Sequence, residues 1–124
     1  MSEPAVIVVR MLPPREVSPN GGWSWRERHH ARQELRAAAA MATRYESTGT
    51  EPFVGNLAPV TLEAEIAWCC GRKTMDPDNA AACLKSLQDG IADVLWDGQD
   101  RHVTIGEVTQ IRGEGVVTVR LRQD

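Results

Sequence analysis

The sequence predicts a small single-domain α/β (α+β) fold, ordered β-α-β-α-β-β, with a mixed sheet and two helices. Three observations carry that prediction. A chain of 124 residues suits one domain. Two long segments, from Ser24 to Tyr45 and from Asp76 to Leu95, place apolar residues at helical spacing. Four other segments read as strands, by alternation or by β-branched content.

Residues 5–11, Ala-Val-Ile-Val-Val-Arg-Met, form the first expected strand, and Leu12-Pro13-Pro14 ends it because proline cannot continue a ladder. Three prolines and Asn20-Gly21-Gly22 make residues 12–22 a loop. Ser24 is a natural N-cap, and Glu27 three residues on completes a capping box. In the helix that follows, Ala31, Leu35, Ala38, Ala42 and Tyr45 form one apolar stripe, while Arg28, Arg32 and Arg36 share another face. Ser47 to Thr50 closes the helix, and a loop runs through Pro59. Residues 60–69 alternate strictly: Val60, Leu62, Ala64, Ile66 and Trp68 against Thr61, Glu63, Glu65, Ala67 and Cys69. That pattern is a half-buried strand. Asp76 is an apt N-cap and Pro77 an apt first helical residue for the second helix. Leu84, Leu87, Ile91 and Leu95 form its buried stripe, and Gly90 interrupts it at modest cost. Residues 102–110 and 115–122 read as two strands joined as a hairpin at Arg112-Gly113-Glu114-Gly115.

The formal net charge of −3 counts against a uniformly basic nucleic-acid binder. Its distribution is uneven, however: Arg26, Arg28, Arg32, Arg36 and Arg44 cluster in one segment with only Glu27 and Glu34 nearby. No apolar run approaches the roughly 20 residues of a membrane span. Met1-Ser2-Glu3-Pro4 lacks the basic start and apolar core of a signal peptide, so a cytoplasmic location without membrane partners is expected. Three cysteines, with Cys69 beside Cys70 and no CxxC pair, argue against zinc and against a disulfide framework, and lead to free thiols as the expectation.

The chemistry concentrates around the second helix. Asp76 and Asp78 bracket its start, Lys85 lies two turns on along the same face, and Asp97 and Asp100 sit in the turn beyond its end. Each has a plain structural role open to it: capping for an Asp, an i,i+4 pair with Asp89 for Lys85, turn formation for Asp97 and Asp100. Together they are what a hard divalent cation needs, since Mg²⁺ takes oxygen ligands and keeps waters and substrate phosphates in its shell. The lysine adds a point charge that can face a phosphate. A metal-dependent enzyme acting on phosphodiesters is the reading. His29 and His30 point in different directions on a helix, and Trp23 and Trp25 at the loop-to-helix junction read as core anchors ahead of base-stacking platforms.

Asp76-x-Asp78-Asn79 with Lys85, then Asp89-Gly90, an acidic turn and Arg101-His102-Val103, resembles the RusA family of Holliday-junction resolvases, especially its phage and prophage members. The stretch from Asn20 through Trp25-Arg26-Glu27-Arg28, after Pro13-Pro14, is similar to that family's N-terminal region. The resemblance implies a homodimeric endodeoxyribonuclease that resolves four-way junctions by paired nicks with Mg²⁺ or Mn²⁺, in recombination and repair. It implies Asp76 and Asp78 as metal ligands and Lys85 as the catalytic lysine, with Asp100 or Asp97 as the third carboxylate. Counting from Lys85 favours Asp100; counting back from Arg101-His102-Val103 favours Asp97. Asn20, Arg26, Arg28, Arg32, Arg72, Lys73 and Arg101 are the expected DNA contacts. The alternative is a catalytically silent DNA-binding or recombination-accessory protein of the same fold; a nuclease for flap or other branched DNA is a third reading.

Overall fold

The computed structural model describes residues 3–18 and 21–124. Five strands and two helices follow one another as β1 (Ala5–Val9), α1 (Trp25–Tyr45), β2 (Ser47–Thr48), β3 (Val60–Trp68), α2 (Pro77–Leu95), β4 (Val103–Arg112) and β5 (Val116–Gln123), with short 3-10 turns at Arg15–Val17 and Glu51–Phe53. The predicted mixed sheet with two helices is present. It is one five-stranded sheet in the order β2-β1-β5-β3-β4, with β3 and β4 parallel and the other pairings antiparallel.

The start of α1 forms for the reason its sequence gives, while that of α2 keeps the expected proline without a side-chain cap from Asp76. Ser24 Oγ accepts from the Glu27 backbone N–H while the Glu27 carboxylate accepts from the Ser24 N–H, a complete capping box. Pro77 occupies the first position of α2, where its missing N–H costs nothing. The stripe Leu84, Leu87, Ile91 and Leu95 is buried, and it joins Ile7 and Val9, Leu62 and Ile66, Val117 and Val119, and Leu35 of α1 in one core. On β3 the even-numbered residues face this core, while Thr61, Glu63 and Glu65 lie half-buried on the opposite face. Among the described residues no helix is long and apolar enough to cross a membrane.

Four expectations need correction. β4 and β5 do not form a hairpin, because β3 lies between them. The glycines that resembled a hairpin turn instead carry the chain past the end of β3. The Gly113 N–H donates to the Trp68 carbonyl and the Gly115 N–H to the Ala67 carbonyl. A Cβ on Gly113 would lie 2.6 Å from the Ala67 Cβ, so only glycine passes this closely. Helix α2 is the crossover that lets β4 run parallel to β3. Second, Ser47–Thr48, expected to be part of a closing loop, pairs with Val6 and Ile7 as an edge strand. Third, Tyr45 is 73% exposed and leaves the apolar stripe of α1, whose inner face is Ala31, Leu35, Ala39 and Ala42. Fourth, Cys69 and Cys70 are joined as a vicinal disulfide, so the free-thiol expectation holds for Cys83 alone. Burial pushes the Cys83 thiol up to about 11, against a smaller pull downward from Arg72.

Gly90 is more than a tolerated interruption. The two helices pack so closely there that a Cβ would lie 2.2 Å from the Arg36 carbonyl oxygen and 2.8 Å from the Ala39 Cβ. Gly90→Ala gains about 1 kcal/mol of helix propensity. It forces backbone apart in a packed core, an overpacking cost of about 3 kcal/mol. Urea unfolding should therefore register a net loss of about 2 kcal/mol; a stabilised variant would contradict the close approach.

Candidate functional site

The head of α2 is held from outside by β4. Gln110 Oε1 accepts from the Met75 backbone N–H at 2.8 Å and from the Trp68 indole N–H at 2.9 Å, while Gln110 Nε2 donates to the Met75 carbonyl at 2.8 Å. One side chain thus fixes both backbone groups of the residue before Asp76. Sequence reasoning missed it: Gln110 registers opposite Ile66 on a parallel neighbour, and that pairing is invisible until the strand order is known. Gln110→Leu would leave the Trp68 N–H and two backbone groups without their partner, each costing about 1–3 kcal/mol if buried. Thermal unfolding should show a loss of about 2 kcal/mol or more, and a smaller loss for Gln110→Glu, which keeps both accepting contacts but sets an oxygen against the Met75 carbonyl.

Asp76 is the N-cap residue of α2, yet its side chain makes no capping hydrogen bond. Both Asp76 and Asp78 are exposed. Their carboxylates sit where the helix dipole and the free N–H groups favour negative charge, so plain capping does not account for Asp76. Lys85 stands two turns along, about 10 Å up the axis from Asp78. It reaches the other way: its ammonium bonds Asp100 Oδ2 and lies 3.2 Å from Asp89 Oδ1. Gln88 Nε2 also donates to Asp100 Oδ2, at 3.1 Å. The Asp100 bond raises the Lys85 pKa, and the same bond lowers that of Asp100. The i,i+4 pair with Asp89 exists, but as the minor partner.

The turn carrying Asp100 is pinned by Trp96, whose buried indole N–H donates to the Phe53 carbonyl at 2.8 Å. The Val103 N–H bonds the Asp100 carbonyl, and the Val60 N–H bonds the His102 carbonyl, tying the turn to the start of β3. Asp97 takes a left-handed backbone, φ 54°, and is exposed beside Val54 and Leu57. Of the two aspartates left open by spacing, Asp100 is the one that meets Lys85.

The three-carboxylate set is not assembled. Among the described residues no three His, Cys, Asp or Glu side chains are grouped to hold a metal ion. Asp76 and Asp78 do fit the manner in which Mg²⁺ binds through one or two carboxylates, with waters and substrate oxygens completing its shell. Asp100 is instead held by Lys85 and Gln88.

Arg32 and Arg36 of α1 line a groove between the helices together with His29, Lys85 and Asp89. Arg36 is committed to Asp93 by two hydrogen bonds, at 2.7 and 2.8 Å, which raise its pKa and lower that of Asp93. Arg28 is half-buried, its Nε enclosed without a partner among the described residues, and Arg26 and Arg101 are exposed. Arg72 donates to the Pro13 carbonyl at 2.8 Å and lies 5.0 Å over the Trp68 ring, so it is anchored; Lys73 is exposed. Asn20 lies outside the described residues. Trp25 is not a core anchor: it is 68% exposed and stacks on His29 with ring centroids 4.9 Å apart. His102 sits edge-on to Trp96 at 4.5 Å. Compared with known proteins, the chain matches no protein-family model and no curated protein.

Proposed function

We propose that the chain is a Mg²⁺-dependent, structure-selective DNA endonuclease of the kind its RusA-like motif implies, cutting four-way junctions as a two-fold homodimer. The observation that carries this reading is the head of α2: two exposed carboxylates, that of Asp76 free of any capping role, held in place by Gln110 and preceded by Arg72-Lys73. Asp76 and Asp78 would hold the cation. A bound Mg²⁺ supplies Lewis-acid polarisation of a phosphate and a water of lowered pKa. Lys85 remains charged at neutral pH; its ammonium is turned to Asp100, and it would supply positive charge to a phosphate by exchanging that carboxylate for a phosphate oxygen. Asp100 and Gln88 act as positioning residues around it, because they fix the turn and the ammonium relative to α2.

A second reading, a silent DNA-binding or recombination-accessory protein, draws on one observation: Lys85 and Asp100 neutralise each other directly. Paired incision separates the two. An isologous dimer brings two sites to one branch point by symmetry, so a supercoiled cruciform plasmid should be linearised in Mg²⁺, and light scattering should report twice the 13.7 kDa chain mass. A dimer that binds the cruciform and leaves it intact would favour the silent reading.

A further inference from the structure

A concavity of about 460 Å³ opens beside the head of α2, between the chain leading into α1 and the segment leading into α2. Arg15, Arg72 and Lys73 line it, with Trp23, Thr74 and Met75; no carboxylate is among the described residues that do. This is a local charge of three positives on a chain whose net charge is −3. The contrast with the groove between the helices is direct. There Arg36 and Lys85 are tied to aspartates, whereas Arg15 and Lys73 are exposed and have no ion pair among the described residues. Arg72 is held by the Pro13 carbonyl and the Trp68 ring, so it lends the wall a fixed charge.

The fourth element is flat and apolar. Trp23 is half-buried and packs on Gly21, where a Cβ would lie 2.6 Å from the indole Nε1. Cations without an ion pair beside a half-buried indole match a phosphate that carries an aromatic ring: bases stack on aromatic side chains in a sequence-tolerant way while the backbone tracks positive charge. Met75 closes the pocket and is also the residue immediately before Asp76. We infer that this pocket takes one nucleotide of an unpaired DNA strand, its phosphate against Arg15 and Lys73 and its base against Trp23. The source of that strand rests on the nuclease reading; the pocket itself is testable without cleavage.

Binding is read from the anisotropy of a fluorescein label on the oligomer, a signal that does not depend on Trp23 and is therefore the same in kind when that residue is replaced. The full chain is titrated in EDTA with a short oligothymidylate over a salt series, and the bound oligomer is then displaced by dTMP or by inorganic phosphate. Trp23→Ala should weaken binding about tenfold, within the range of one stacked base, and Trp23→Phe should restore most of it. The double variant Arg15→Ala, Lys73→Ala should flatten the log-log salt slope by about 1.4 units, for two lost single-strand phosphate contacts. dTMP should displace the oligomer at far lower concentration than phosphate. Wild-type affinity and slope in both variants, or displacement by phosphate as readily as by dTMP, would overturn the proposal. If Trp23→Ala does not fold, the surface double variant decides alone. A protein that binds oligothymidylate through these residues and never nicks a junction upholds the pocket and rejects the nuclease reading.

Discussion

Asp76→Asn and Asp78→Asn should each cut Mg²⁺-dependent nicking of a four-way junction by about a hundredfold or more. That factor corresponds to the several kcal/mol that a bound cation contributes to transition-state charge. The two residues have no competing structural task that would confuse the result. Asp76 makes no capping hydrogen bond, both carboxylates are exposed, and Pro77 with the Gln110 clamp fixes the helix start independently of them. Each variant should keep its fold by circular dichroism, and its affinity for the junction should change little or rise slightly, because a negative charge near phosphate has been removed. Cleavage by both variants at the wild-type rate would remove this site from the account.

The second large effect separates Asp100 from Asp97. Asp100→Asn removes the carboxylate that orders Lys85 and accepts from Gln88. Positioning partners of this kind are worth about 10- to 100-fold where measured around metal sites. Asp97→Asn alters an exposed turn residue in a left-handed conformation that asparagine also adopts, so activity should stay within about twofold. Junction cleavage under single-turnover conditions gives both numbers. If Asp97→Asn proved the more damaging change, Lys85 would not be the group that Asp100 serves, and the alignment from Arg101-His102-Val103 would hold instead.

The elements that were legible in the sequence share one property: their determinants are local. Ser24 with Glu27, and Asp76 with Pro77, mark helix starts within four residues, and the alternation of Val60 to Trp68 requires only its own period. The misreadings of topology and packing involve partners distant in the chain, whereas the Cys69–Cys70 disulfide joins neighbours and Trp25 stacks on His29 one turn away. Gly113 and Gly115 have the composition of a turn between neighbouring strands, yet their freedom serves close passage around β3. Gly90 looks like a weak point of α2 until Arg36 and Ala39 of α1 are placed against it. β4 gains an extra residue opposite Leu62 to Ala64, a bulge that breaks the alternation by which its inward residues would be read. At the site the same division holds. Asp76, Asp78 and Lys85 are named by spacing on one helix. The choice of Asp100 over Asp97 depends on how Trp96 seats the turn against Phe53, 43 residues away in the chain. Gln110 and Arg15 carried no local signal at all.

Cleavage of a synthetic four-way junction, beside a duplex of the same sequence, tests the central claim most directly. The wild-type chain should cut the junction in Mg²⁺ at two symmetry-related positions, leave the duplex intact, and lose all activity in EDTA. Recovery on adding Mg²⁺ back should be complete in wild type and absent in Asp78→Asn. Cutting of both substrates alike would contradict structure selectivity, and an intact junction bound by a folded dimer in Mg²⁺ would contradict the assignment of the head of α2 as a catalytic site.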